Sequence, residues 1–174
     1  SYWLVLLLVI PTAAFMVRGF IIFHDCCHGS FFKTQTANDR LGLLLGVLMF
    51  TPYYSWKHEH AIHHATAGDL DRRGVGDVWT MTVDEYVAAP RRKRAAYRVF
   101  RFPLVTIGLG PLFMFLISHR FYDVSTTGAR EKHSVVYTNL ALLAGTDFFT
   151  AEVLTLHALI LSVTTQVQGA VTKI

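Results

Sequence analysis

The sequence predicts an all-α membrane protein, in which transmembrane helices and an interfacial helix support a helical cytosolic cap that carries clustered histidines. Three observations lead to this prediction. Of the 174 residues, 52% are hydrophobic and only 16% are charged, whereas soluble domains average roughly 25% charged residues. The apolar residues fall in long runs, and six of the nine histidines lie between positions 24 and 64, beside those runs. This composition excludes a disordered chain, which requires low hydrophobicity and high charge.

The first predicted transmembrane helix covers residues 2–23. This run contains a single charged residue, Arg18, and about 20 apolar residues suffice to span a bilayer. The run ends directly before His24, so we expect that histidine to lie at a membrane surface. The adjacent Cys26 and Cys27 are the chain's two cysteines, which excludes a disulfide framework and a four-thiolate zinc site.

The second apolar run, residues 41–56, is too short for a comfortable crossing, and its aromatic end is typical of a membrane interface. If it crossed once, the histidines on its two sides would lie ~30 Å apart. We therefore expect an interfacial or re-entrant segment, provided that the two histidine clusters share a metal site.

Residues 65–101 are polar and basic, and we expect them to form the cytosolic cap. Nine lysines and arginines lie between positions 57 and 101, and such an excess marks the cytoplasmic side of membrane proteins. A nucleic-acid surface is disfavoured because no recognition motif accompanies the charge. Further apolar runs follow at 102–118 and 134–165, and a single membrane domain over 1–174 is the simplest description.

The first histidine cluster consists of His24 and His28. Positions four apart share one face of a helix, so both imidazoles can reach one metal ion. This spacing alone is a weak signal, and two interfacial histidines at the end of a helix would have the same pattern.

The second cluster is more specific. On a helical wheel with His60 at zero, His63 falls at about −60° and His64 at about +40°, whereas His58 falls near 160°. The geometry therefore selects His60, His63 and His64 as a ligand set and excludes His58.

Imidazole is a suitable ligand for iron, zinc, copper and nickel, whereas structural zinc sites commonly use thiolates. A site with many imidazoles and few thiolates therefore fits iron that binds and activates dioxygen. Nearby carboxylates could be ligands or could accept hydrogen bonds from imidazole N–H groups, although for any one of them a plain solvated charge is the favoured interpretation. The candidates are Asp25, Glu59, Asp69 and Asp71.

Two stretches carry a family resemblance: His24-Asp-Cys-Cys-His28-Gly-Ser-Phe-Phe, and Trp56-Lys-His58-Glu-His60-Ala-Ile-His63-His64. They resemble the integral-membrane fatty acid desaturases, most closely the acyl-lipid, delta-12-like branch, over roughly residues 2 to 145. The resemblance implies a di-iron centre held by three histidine boxes on the cytoplasmic side of the membrane. It also implies that a double bond is introduced into an acyl lipid, with dioxygen as co-substrate and a ferredoxin or cytochrome type of electron donor.

Carried over by position, box one supplies His24 and His28, and box two supplies His60, His63 and His64. The family's third box has no counterpart in this sequence, so we expect the chain to be C-terminally incomplete. The remaining histidines, His119, His133 and His157, lack box spacing and are predicted on loops or helix surfaces. Three alternatives stay open: a carotenoid or alkane hydroxylase of the same superfamily, a non-catalytic membrane metal-binding protein, and an inactive remnant.

Overall fold

The structure, a computed structural model, describes residues 2–122 and 128–147. Within those ranges every regular element is a helix and none is a strand, which confirms the predicted all-α class. The chain divides into two compact units, residues 1–138 and 139–174. In the second unit the described residues, 139–147, are helical, and His157 lies outside the described residues.

The first unit contains seven α-helices in its described part. In chain order they are α1 (Tyr2–His28), α2 (Gln35–Leu48), α3 (Tyr53–Thr66), α4 (Val83–Ala88), α5 (Arg91–Arg101), α6 (Gly110–Leu116) and α7 (residues 129–138). A π-helical turn, Leu104–Leu109, leads into α6, and a 3-10 turn, Ser118–Arg120, follows it.

Helix α1 has the length and the surface of a membrane span. Its segment Leu6–His28 is the one described helix that is long and apolar enough to cross a bilayer by itself. Large apolar side chains along it are exposed, including Leu7 at 69% and Ile10 at 75%. Water would penalise such a contiguous apolar surface, whereas lipid would not. The helix extends beyond the predicted end at residue 23, and both His24 and His28 therefore lie in its last two turns.

A second candidate span is bent. Helix α5 and the segment Leu104–Arg120 pass the same test of length and composition only when taken together, and they meet at an angle of 64°. The predicted apolar run 102–118 overlaps this segment from residue 104 onward. His119, at its end, is half-buried against Phe115 at 5.5 Å between ring centroids, whereas His133 is exposed on α7.

Helices α1 and α2 pack in opposite directions. A Cβ at Gly19 would lie 2.9 Å from Met49, and one at Gly46 would lie 3.3 Å from Phe23. A later residue of α1 thus contacts an earlier residue of α2, so the two helices are antiparallel. A Cβ at Gly42 would lie only 2.1 Å from the ring of Tyr53. Small residues at such contacts allow helix backbones to approach closely. The core that results is centred on Phe23, Cys26 and Tyr53.

A tight reversal separates α2 from α3. Phe50 adopts the left-handed conformation, with φ of 55°, while its amide donates to Val47 O and the amide of Thr51 donates to Gly46 O. This pair of hydrogen bonds is the Schellman pattern that ends helices, usually with glycine at the left-handed position. The run 41–56, which the sequence predicts as one interfacial or re-entrant segment, is thus divided between two helices.

The polar stretch that the sequence predicts as the cap follows α3. A capping box at Thr82 and Glu85 begins α4, and an ion pair joins Arg73 to Glu85. The ring of Trp79 lies 5.2 Å from that of Tyr97. Neither α4 nor α5 contains a buried residue, so the cap is held mainly by hydrogen bonds, ion pairs and ring contacts at its surface.

Candidate metal centre

The last two turns of α1 place two imidazoles side by side. His24 and His28 are four residues apart, and their Nε2 atoms are 3.2 Å apart. The helix ends immediately afterwards because Gly29 takes a positive φ of 69°. Both residues therefore lie at the end of the apolar helix, and the position of His24 at a membrane surface stays a prediction.

Helix α3 brings two more imidazoles to the same point. His60 Nε2 lies 3.0 Å from His24 Nε2 and 3.1 Å from His28 Nε2. His64 Nε2 lies 3.0 Å from His60 Nε2. All four ligand nitrogens lie within 4.8 Å of one another. We call these four residues, His24, His28, His60 and His64, the four-histidine cluster.

The cluster's geometry fits a cation better than it fits hydrogen bonds. The Nε2 atoms of His24, His28 and His60 form a triangle with sides of 3.0–3.2 Å. Each nitrogen carries either a hydrogen or a lone pair. At least two of the three nitrogens must therefore face each other with the same group, and those two cannot form a hydrogen bond. Bound to one metal at roughly 2.0–2.1 Å and at right angles, imidazole nitrogens would lie about 3 Å apart. The donor set therefore fits a metal ion.

His60 is kept neutral by its surroundings. Its ring stacks on Trp56 with a centroid distance of 4.2 Å and an interplanar angle of 19°. Burial and the neighbouring imidazoles of the cluster lower the pKa of His60 to about 4. A metal-binding imidazole must be deprotonated, so His60 is in the required state at neutral pH.

His63 points to a different partner. Its Nδ1 lies 3.0 Å from Asp77 Oδ1, and its ring centroid is 6.1 Å from that of His60. The structure thus brings together four of the five predicted ligands and places His63 beside them, outside the cluster. His58 is exposed and also lies outside the cluster, in line with its exclusion by the helical wheel.

The four predicted carboxylates are not equivalent. Asp25 Oδ1 lies 3.5 Å from His24 Nδ1. Glu59 accepts a hydrogen bond from Ser55, and Asp69 accepts one from Arg72. Asp71 is exposed and contacts the side chain of Asp69 through its backbone amide. Among these four, Asp25 is the carboxylate that lies near an imidazole nitrogen.

The structure adds a support for α3 that the sequence pattern did not reveal. Tyr53 is fully buried, and its hydroxyl lies 3.0 Å from Cys26 O on α1 and 2.9 Å from Asp39 Oδ1 on α2. Asp39 also accepts hydrogen bonds from Lys57 at 3.0 Å and Gln35 at 2.7 Å. This polar group ties the three helices together one turn from the cluster.

That group also holds Asp39 charged. Burial alone would raise the pKa of Asp39, but hydrogen bonds from Lys57, Gln35 and Tyr53 outweigh burial and hold it below the ordinary value. Helix α7 adds a further contact, because Ser134 Oγ accepts a hydrogen bond from the Tyr54 amide at 3.0 Å. The residues of the polar group around Asp39 could not be identified from the sequence, because they are scattered over α1, α2 and α3 with no common spacing.

Comparison with known proteins gives one consistent result. A sequence profile described as fatty acid desaturase matches residues 1–170. The fatty acid desaturase of Bacillus subtilis is 52% identical over 146 residues, which are 83% of this chain and 41% of that protein. The Delta(12) fatty acid dehydrogenase of Crepis alpina is 30% identical over 151 residues, 76% of this chain and 38% of that protein.

A shorter match is to a relative whose name includes a donor. The sn-1 acyl-lipid omega-3 desaturase (ferredoxin) of Synechocystis sp. is 42% identical over 52 residues, 30% of this chain and 14% of that protein. The chain spans about two fifths of the length of the Bacillus and Crepis proteins. No solved structure matches it.

Proposed function

The chain belongs to the fatty acid desaturase family, and from that premise we propose that it supplies histidine ligands to a membrane enzyme that introduces a double bond into an acyl chain. The proposed cofactor is a pair of iron ions, with dioxygen as co-substrate. The observation that carries the proposal is the convergence of four Nε2 atoms from α1 and α3, within 4.8 Å of one another.

Side chains alone cannot perform this reaction. A methylene C–H bond has no acidic proton, so general acid–base catalysis has nothing to transfer, and a cofactor must supply the reactivity while the protein binds and orients it. Bound iron would supply the oxidation with dioxygen. In this proposal the four-histidine cluster holds one iron and His63 contributes to the other, which its separation from the cluster supports.

Neighbouring residues would position those ligands. The stacked ring of Trp56 limits the rotation of His60, and Asp25 is the carboxylate best placed to orient a clustered imidazole, His24. Roles for Glu59, Asp69 and Asp71 around the metal remain predictions, and their described contacts do not favour them.

An apolar cavity supports an acyl substrate. It measures about 460 Å³ and lies between α1, the α2–α3 reversal and α6. Its lining includes Met16, Phe20, Phe50 and Phe115. The ring of Phe20 lies 5.6 Å from that of Trp56, which stacks on His60. We propose that this cavity holds the acyl chain, with Phe20 and Trp56 between the cavity and the metal site.

The remaining partners follow from the family and from charge. The exposed apolar surface of α1 fits a bilayer, and the six cations of α5 fit a cytoplasmic surface. We therefore propose an integral membrane protein with the histidines on the cytoplasmic side. The reductant we propose is a small electron-transfer protein, in line with the ferredoxin in the name of the Synechocystis relative.

The test is to express the intact gene that encodes this chain in a host without desaturases. The membrane fatty acids and the iron content of the purified protein are then measured. The proposal expects a new alkene with no added oxygen, whereas an alcohol would indicate a hydroxylase, and bound zinc without oxygen consumption would indicate a non-catalytic metal protein. His60→Ala should abolish product and reduce bound iron, while His58→Ala should change neither. Equal damage from both variants would contradict the ligand assignment.

A further inference from the structure

The loop between α3 and α4 presents one carboxylate to a histidine of the second cluster. Asp77 Oδ1 lies 3.0 Å from His63 Nδ1, and the two side chains are half-buried, at 25% and 34% exposure. This contact is shorter than the 3.5 Å between Asp25 and His24. Asp77 belongs to none of the candidate carboxylates that the sequence indicates.

The loop is shaped to make this contact. Gly74 and Gly76 have positive φ values of 140° and 73°, conformations that residues with a Cβ rarely adopt. A Cβ at Gly76 would lie 3.0 Å from His63 Cβ and 3.3 Å from His63 Cγ, so the loop backbone lies directly against the histidine. The amide of Gly74 donates to Asp77 Oδ2 at 3.3 Å, which fixes the second carboxylate oxygen.

The contact determines which nitrogen of His63 is available. An ionised carboxylate only accepts hydrogen bonds, so the nitrogen facing Asp77 must be the one that carries hydrogen. In a neutral imidazole the other nitrogen, Nε2, then holds the lone pair. Metal-binding histidines are commonly held in this way by a carboxylate that accepts their second N–H.

We propose that Asp77 is a positioning residue for His63, holding it in the tautomer and orientation in which Nε2 binds a metal ion. The inference rests on the proposed function, since it requires His63 to be a ligand. It assigns the loop 67–82 a role in building the metal site, in addition to connecting two helices. Asp77 acts through His63 and has no contact with substrate in this proposal.

The experiment measures binding of ferrous iron, without oxygen, by the purified intact protein in detergent, together with the absorption spectrum after cobalt(II) substitution. Asp77→Ala should weaken metal binding about 10–100-fold and alter the cobalt spectrum. Asp77→Asn retains an oxygen that accepts the N–H but loses the charge, so it should recover part of the affinity. Asp84→Asn is the control, because Asp84 is an exposed carboxylate in the first turn of α4 and is not one of the candidate metal-site residues; this variant should bind metal normally.

A double-mutant cycle separates positioning from a structural role. If Asp77 acts through His63, adding Asp77→Ala to His63→Ala should weaken metal binding no further. Independent, additive losses, or normal binding by Asp77→Ala, would overturn the proposal. Normal metal binding by His63→Ala would also overturn it, because Asp77 would then position nothing of consequence. If the unmodified protein binds no metal at all, the proposed function fails as well, so the two failures are distinguishable.

Discussion

Two regions hold the candidate ligands in different ways. The four-histidine cluster is carried by α1 and α3, which pack on α2 around fully buried side chains such as Phe23, Cys26 and Tyr53. His63 is also on α3, but its ring contacts a loop with no described buried residue between positions 67 and 82. Helix packing fixes the cluster, whereas the orientation of the His63 ring also depends on one hydrogen bond and two glycine conformations in that loop. A perturbation of the helices should therefore affect the whole fold, and a perturbation of the loop should stay local.

The largest effect is expected from Tyr53→Ala, which tests the helical half of this comparison. Tyr53 fills the space between α1 and α2 and is fully buried, and truncation of a buried aromatic residue costs about 3–5 kcal/mol. The free energy of unfolding in detergent should fall by that amount. Tyr137→Ala is the control, since Tyr137 is 67% exposed and should change stability by less than about 0.5 kcal/mol. Similar losses from both would mean that the described core does not support the fold.

Gly42→Ala should lower stability nearly as much as Tyr53→Ala, because it adds volume to the packed core instead of removing it. The added Cβ would lie 2.1 Å from the Tyr53 ring, and overpacking a tight core costs about 1–3 kcal/mol. Gly108→Ala is matched to it, because a Cβ at Gly108 meets nothing within 4 Å. Thermal unfolding should separate the two variants. A stable Gly42→Ala protein would show that α2 and α3 pack less closely than described.

Asp39→Asn should remove a pH-dependent part of the helical region's stability. Hydrogen bonds to charged groups contribute about 1.5–3 kcal/mol, and Asp39 accepts one from Lys57. Because the folded pKa of Asp39 is lowered, this stability is present above the unfolded pKa of about 3.9 and is lost as the pH falls through the folded pKa.

The free energies of unfolding of the Asp39→Asn variant and of the unmodified protein should therefore differ at pH 7 and become similar in acid. Asp84→Asn, at an exposed carboxylate on α4, provides the comparison and should show no such difference. If the two free energies of unfolding differed by the same amount at all pH values, the charge of Asp39 would not explain the stability difference.

Gly76→Ala tests the loop half, and its effect on global stability should be the smallest. A residue with a Cβ in the left-handed region costs roughly 1–2 kcal/mol, and here the Cβ would also press on His63 at 3.0 Å. Gly68→Ala introduces the same kind of strain at φ of 83° with nothing within 4 Å. Metal binding should weaken only in the Gly76 variant, while Tm should fall by a similar amount in both. Equal metal binding by the two variants would show that the loop does not support the metal site.

Some parts of the site could be predicted from local spacing. The four-residue steps from His24 to His28 and from His60 to His64 place each pair on one helical face, and the structure shows both pairs with Nε2 atoms close together. The exclusion of His58 follows from the same periodicity, and it is exposed outside the cluster. Spacing could not separate His63 from His60 and His64, because all three share one face of α3. The contact with Asp77, 14 residues later, distinguishes His63.

The sequence by itself determined the helical class, the long apolar span and the histidine pairs, because these depend on composition and on a period of 3.6 residues along one segment. Only the tertiary structure decided where α2 ends and reverses at Phe50, which brings α3 back to α1 and joins the two pairs. It also decided that Tyr53 and Asp39 support α3 and that Asp77 holds His63. The physical reason is that such contacts join residues distant in sequence, and their distances depend on how helices and loops pack.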